Sequence, residues 1–123
     1  MKPFFLNPLA TVHQLYQQWE RHFPFLKLRI YSPSYQLMDE NTPQVSLQAL
    51  SSTAEHQTEL QVDPNMSVRL FLETFQNTFG LRAEVLRHSG YSWDETENTD
   101  LWTLTEQNQK GKEQSQIYRT KES

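Results

Sequence analysis

The most regular alternation of apolar and polar positions lies between Ser67 and Phe79. Val68, Phe71, Leu72, Phe75 and Phe79 recur at three- and four-residue intervals, the spacing of one helical face. Ser67 suits the N-cap, where a hydroxyl accepts from a free backbone N–H of the first turn. Gly80 can adopt the left-handed conformation that ends helices. The same lettering occurs near the N-terminus. Thr11 caps, Val12, Leu15, Tyr16, Trp19 and Phe23 form the stripe, and Pro24 ends it.

Each helix leads into a strand candidate, Phe25 to Tyr31 and Leu81 to His88. Each strand meets a turn ending in tyrosine, at Ser32-Pro33-Ser34-Tyr35 and Ser89-Gly90-Tyr91. The two halves align without a gap at a constant offset, which reads as an internal pseudo-repeat of a helix-then-strand unit. Two amphipathic helices followed by strands can also look alike by chance. Leu26, Leu28 and Ile30 face one way, and Lys27, Arg29 and Tyr31 the other. Ala83 and Val85 oppose Glu84 and Leu86 less cleanly. Weaker alternation predicts strands at Val45–Leu50 and Thr58–Val62, joined by a polar turn at Ser51–Gln57. Tyr91–Thr96 can return as a hairpin partner, and Tyr35–Pro43 reads as a loop.

One-sided alternation implies an antiparallel sheet with one wet face. The expected fold class is α+β: a two-layer sandwich, its sheet covered on one face by two amphipathic helices, in the order α-β-β-β-α-β-β. Thr103 and Glu106 have capping-box spacing, so a short helix through Gln107–Gln109 is predicted, stopped by Gly111. Residues 1–110 read as one domain and 111–123 as a flexible tail.

Composition narrows the function classes. A chain of 123 residues suits one domain, and 12% aromatic residues argue against disorder. A net charge of -4 weighs against a dedicated nucleic-acid binder or a surface for anionic membranes. The absence of cysteine removes disulfides, thiolate catalysis and cysteine zinc sites. The N-terminal apolar run is short and broken by Pro3 and Pro8, unlike a signal peptide. A cytoplasmic location is the resulting expectation.

No chemical constellation stands out. His13, His22, His56 and His88 have no pair at three- or four-residue spacing, so no helix face offers two imidazoles to a metal. His88 and Ser89 are strand neighbours and point to opposite faces, against a nucleophile-and-base pair. Asp94, Glu95, Glu97 and Asp100 cluster, yet lack calcium-loop spacing and its central glycine. Lys27, Arg29 and Tyr31 resemble a nucleic-acid platform, but Glu59, Gln61 and Glu84 are expected on the same wet face, which favours cross-strand ion pairing. With only Gly80, Gly90 and Gly111, no phosphate loop exists. No catalytic residue, metal ligand or cofactor is assigned. Tyr91, Trp93 and Trp102 sit in polar surroundings and suit a partner or ligand surface, core capping or dimer contacts.

The stretch from Val68 to Gly111 carries Phe79-Gly80-Leu81, then Val85-Leu86-Arg87-His88-Ser89-Gly90, Trp93, and Thr99-Asp100-Leu101-Trp102-Thr103-Leu104 with Glu106-Gln107-Asn108. It resembles a family of small uncharacterised bacterial proteins, mainly of the Bacteroidetes type. The resemblance implies a small bacterial α+β protein and transfers no functional residue. The leading expectation is a non-enzymatic interaction module that binds a protein partner or pairs as a homodimer. The alternative is a small enzyme or ligand-binding protein with a site near Tyr91–Asp100 or in a dimer groove, using His88, Asp94 and Glu95 with Tyr91.

Overall fold

The computed structural model of the protein describes residues 2–39, 45–51 and 58–122, with side chains to residue 116. The elements run β1 (Phe4–Leu6), α1 (Val12–His22), β2 (Leu26–Tyr31), β3 (Leu37–Met38), α2 (Leu47–Leu50), β4 (Leu60–Val62), α3 (Val68–Phe79), β5 (Ala83–Ser89), β6 (Ser92–Glu95), a 3-10 turn (Glu97–Thr99) and α4 (Leu104–Glu122). The fold class is α+β, and both sheets are antiparallel. Instead of one sheet there are two: a pair β1-β4 and a four-stranded sheet in the order β3-β2-β5-β6.

The two long apolar stripes form helices with the expected caps. Thr11 Oγ1 accepts from Gln14 N at 3.1 Å, and Ser67 Oγ accepts from Leu70 N at 3.0 Å. Gly80 ends α3 at φ 67, donating to Gln76 O. Val12, Leu15 and Trp19 of α1 and Val68, Phe71, Phe75 and Phe79 of α3 join Leu26, Leu28, Ile30, Ala83 and Val85 in one core cluster. An aromatic chain of Phe4, Trp19, Phe71, Phe75 and Phe79 runs through it, with neighbouring ring centroids 4.9–6.4 Å apart.

Four sequence expectations need correction. Val45–Leu50 is not a strand. Ser46 Oγ caps a helical turn by accepting from Ala49 N, and helical φ/ψ buries Leu47 alone. The strand at Thr58–Val62 shortens to β4 and leaves the main sheet to pair with β1, an element the alternation did not reveal. The expected loop at Tyr35–Pro43 contains β3, and its residues 40–43 lie outside the described residues, as does the turn at 52–57. Gly111 does not stop the last helix, because α4 continues to Glu122. Gly111 is buried, and a Cβ there would meet Phe25 O at 2.9 Å. The close approach, not a cap, explains the glycine.

The repeat extends further than a helix and a strand. Asn7 Oδ1 accepts from Leu9 N at 2.9 Å, and Asp63 Oδ1 accepts from Asn65 N at 2.9 Å, so both helices are entered through the same Asx turn. Val12 N donates to Val45 O, and Val68 N to Trp102 O. Gln48 N donates to Pro8 O, and Thr105 N to Pro64 O. Each half is therefore strand, helix, hairpin, helix, and α2 corresponds to the first turn of α4. The expected gapless alignment fails at one point. Val12, Leu15, Trp19 and Phe23 correspond to Val68, Phe71, Phe75 and Phe79, but Leu26 and Leu28 correspond to Ala83 and Val85. The link after α3 is one residue longer, which keeps the apolar positions of β5 facing inward.

Exchanging the halves maps both central strand pairs onto themselves. Phe4↔Val62 becomes Leu60↔Leu6, Leu26↔Arg87 becomes Ala83↔Ile30, and Leu28↔Val85 is unchanged. A pseudo-two-fold axis thus passes through the Leu28–Val85 and Phe5–Gln61 pairs.

Candidate functional site

The central strands β2 and β5 are each only half covered on their outer edges. Phe25 O accepts from His88 N, and Tyr31 N donates to Arg82 O, so odd-numbered residues of β2 turn their backbone groups toward β5. The even-numbered residues turn theirs outward, where β3 pairs with β2 only at Ile30↔Met38 and Tyr31↔Leu37. Leu28 N–H and C=O consequently face outward with no strand opposite them among the described residues. On β5 the equivalent groups belong to Ala83 and Val85, since β6 pairs only from Leu86 to Ser89.

Each open edge forms one wall of a groove whose other wall is a helix. Beside β2 the groove holds about 400 Å³ and is lined by Tyr16, Trp19 and Glu20 of α1, residues 26–29, and Leu37, Met38, Asp39 and Trp93. Beside β5 it holds about 560 Å³ between α3 and residues 82–86. The positions correspond, but the chemistry differs. The β2 groove combines aromatic and aliphatic side chains with Glu20, Lys27, Arg29 and Asp39. The β5 groove carries Arg69, Glu73, Arg82, Glu84, Glu95, Glu97 and Asp100. Arg69 Nε meets Asp100 Oδ2 at 3.1 Å, and Arg82 lies 3.7 Å from Glu84. Thr96 Oγ1 donates to Val85 O at 2.7 Å, so a side chain already occupies that edge carbonyl.

Tyr16 shapes the β2 groove. Its hydroxyl accepts from Ile30 N at 2.9 Å and donates to Met38 O. A phenol thereby replaces one ladder bond between β2 and β3 and stands where the covered edge gives way to the open one. Burial is the main reason the Tyr16 pKa is pushed up to about 12. Tyr31, on the wet face, is also raised, chiefly by the hydrogen bond to Glu84. Trp19 Nε1, on the core side of β2, and Arg29 Nε, on its wet face, are buried without a hydrogen-bond partner. Both are donors.

The three aromatic residues predicted as a surface do not share one face. Trp93 stands opposite His88 on β5 with ring centroids 4.9 Å apart, and Lys27 Nζ lies 5.8 Å from its ring centroid. Trp93 is 37% exposed and reaches the β2 groove. Trp102 is 38% exposed and stacks under the guanidinium of Arg87, whose side lies on the opposite face of β5 from that of His88. Tyr91 lies in the hairpin turn, 72% exposed. The wet face of β2 keeps Lys27, Arg29 and Tyr31, with Glu84 opposite Arg29. Gln61 lies in the other sheet, opposite Phe5, and Glu59 just precedes β4, so neither shares that face.

The residues of the enzymatic alternative are not gathered either. Asp94 pairs with Arg87 and Glu95 with Leu86, so neighbouring carboxylates point to opposite faces. His88 Nδ1 meets Ser115 Oγ, but Ser115 donates its own proton to Gly111 O at 2.8 Å. The Ser115 hydroxyl is thus shared between the His88 ring and a helix carbonyl, as a buried side chain that ties α4 to β5. Among the described residues, no group of three or more His, Asp or Glu side chains is placed to hold a metal ion. No helix among them is long and apolar enough to cross a membrane.

Sequence reading missed Tyr16, Arg29 and Gln107 as polar anchors. Gln107 is fully buried, accepting from Arg87 Nη1 at 2.8 Å and donating to Thr99 O at 2.7 Å. The available signal was its position three residues after Leu104, which places Gln107 on the buried side of the helix that the Thr103–Glu106 capping box opens. No family model matches the chain, and no similar curated protein or solved structure was found.

Proposed function

We propose that this protein is a non-enzymatic interaction module that receives an extended segment of another chain on a sheet edge. The observation that supports the reading is the outer edge of β2, where Leu28 N–H and C=O face a groove and no strand pairs with them among the described residues. Open edges are templates for strand addition, in which main-chain hydrogen bonds supply affinity and flanking pockets supply selectivity. Proteins ordinarily blunt such edges with charge, and the β5 groove carries more of it, with seven charged residues against Glu20, Lys27, Arg29 and Asp39 beside β2. Trp93, at the rim, adds the kind of side chain that dominates binding hot spots.

A homodimer is the form of this reading in which a second copy supplies the segment. The pseudo-two-fold pairing of β2 with β5 supports self-association less than it first suggests, because one chain already satisfies the strand pairing that two copies would otherwise make. Sedimentation equilibrium across a wide concentration range, together with a screen of random extended peptides by fluorescence polarisation, tests the module. Either reversible dimerisation or saturable peptide binding is expected. A protein that stays monomeric at millimolar concentration and binds no peptide overturns the reading.

A further inference from the structure

We infer that α4 beyond Gln107 is a detachable strap, a helical segment that docks and releases as one unit over one end of the β2–β5 pair while the rest of the fold stays intact. The inference is independent of what the sheet edge receives. It rests first on the core. Leu104 is fully buried and belongs to the shared core cluster, and no later residue among those described does. The repeat makes the same point. In the first half the corresponding helix, α2, ends at Leu50, with buried Leu47 in the place of Leu104. One turn of this helix is therefore enough to close the core in that half, and the rest of α4 is an addition to the repeat.

The second support is the chemistry of the docked face. From Asn108 to Gln116 the positions turned inward are Asn108, Gly111, Gln114 and Ser115, with no large apolar side chain among them. Docking relies on hydrogen bonds instead. Asn108 Oδ1 accepts from Phe25 N at 2.9 Å, and Ser115 Oγ meets His88 Nδ1. Gly111 lets the helix backbone come close to Phe25 and Arg87. Such bonds replace bonds to water and gain little net free energy, and Gln114 Oε1 is buried with no partner at all. The stripes of α1 and α3, by contrast, bury Trp19, Phe71, Phe75 and Phe79. A segment this short, with Asn108, Gly111 and Ser115 inside it, does not hold a helix alone in water, so undocking and melting coincide. Release uncovers Phe25, Arg87 and His88, with Trp93 against the His88 ring and Trp102 against the Arg87 guanidinium.

Native-state hydrogen exchange on the full 15N-labelled chain tests the strap. The amides of Gly111 to Ser115 are expected to exchange through one common opening, at least about a hundredfold faster than Phe75 in α3 and with a much weaker urea dependence. Asn108→Ala and Ser115→Ala then separate docking from helix propensity. Alanine favours a helix more than asparagine or serine does, yet each substitution removes a docking bond. Each is expected to speed exchange from Gly111 to Ser115 at least about fivefold. Slower exchange in both variants overturns the inference, because propensity and not docking would then hold the segment. A rate that climbs steadily from Gly111 to Ser115 overturns it too, as the mark of a fraying end. Exchange at the rate and urea dependence of Phe75 would make α4 an integral part of the core and no strap. A variant in which the α3 amides lose their protection altogether has the same meaning.

Discussion

Tyr16→Phe isolates the hydroxyl that bridges β2 and β3. The ring stays, so no cavity forms and the packing against Trp19 and Met38 is retained. Two partners lose their bond: Ile30 N–H and Met38 C=O. Ile30 is fully buried, and its orphaned donor is expected to cost about 1–3 kcal/mol. Met38 is half-buried, so water can replace the phenol at its carbonyl. For a domain of this size each kcal/mol lowers Tm by roughly 3–6 °C. Urea titration should show a lower midpoint at an unchanged slope. The pH dependence supplies a second, independent readout. Tyr16 ionises at about 12 in the folded protein against 10.0 for an ordinary tyrosine. Its contribution is therefore complete below pH 10 and lost as pH rises toward 12. Two pH units set a ceiling of about 2.7 kcal/mol, and partial solvent screening reduces this to about 1–2 kcal/mol. The difference between wild type and Tyr16→Phe should therefore shrink between pH 10 and 12. A difference below about 0.5 kcal/mol at pH 7 would refute the bridge and would mean that β3 closes onto β2 once the hydroxyl is gone; one that stays constant to pH 12 would refute the burial of the hydroxyl, which is the main cause of its raised pKa.

Gly111→Ala should destabilise by about 1–2 kcal/mol, because overpacking against Phe25 O at 2.9 Å and Arg87 Cγ at 3.2 Å outweighs the better helix propensity of alanine; a higher Tm than wild type would contradict this. Gln107→Leu should cost about 2–3 kcal/mol by stripping Arg87 of its acceptor and Thr99 of its donor, read as a lower urea midpoint. Phe75→Asp places a charge at a fully buried position on the aromatic chain and should abolish the helical circular dichroism signal; a folded mutant would show that the α3 stripe does not face the core.

Periodicity revealed what local geometry dictates. The stripes of α1 and α3, their Thr11 and Ser67 caps, the alternation of β2 and the β5–β6 hairpin all follow from spacing, because one face of each is buried in a shared core. What spacing concealed was set by tertiary pairing. Phe4–Leu6 is too short to show alternation and becomes a strand only because β4 lies beside it. Ser46-Leu47-Gln48-Ala49-Leu50 reads equally as a strand, and only its place under the N-terminal end of α1, where Gln48 N meets Pro8 O, selects the helical turn. The groove was illegible for a related reason. The β2 edge takes its hydrogen bonds at Ile30 from a tyrosine on another element, a contact that no local spacing reveals. Trp93 stands out in the sequence beside Tyr91 and Trp102, whereas in the fold its neighbours are Lys27 and His88.

The pseudo-two-fold arrangement carries a consequence for stoichiometry. Two identical subunits related by true symmetry would be compelled to display twin clefts, and any substitution would alter both together. Joining the halves in one polypeptide lifts that constraint, and here one cleft carries seven charged residues and has Thr96 on its edge carbonyl, while its counterpart carries four beside a larger aromatic and aliphatic share. A titration should accordingly saturate at one equivalent per chain, and swapping Thr96 for valine ought to move the silent half toward its sibling before any change elsewhere does.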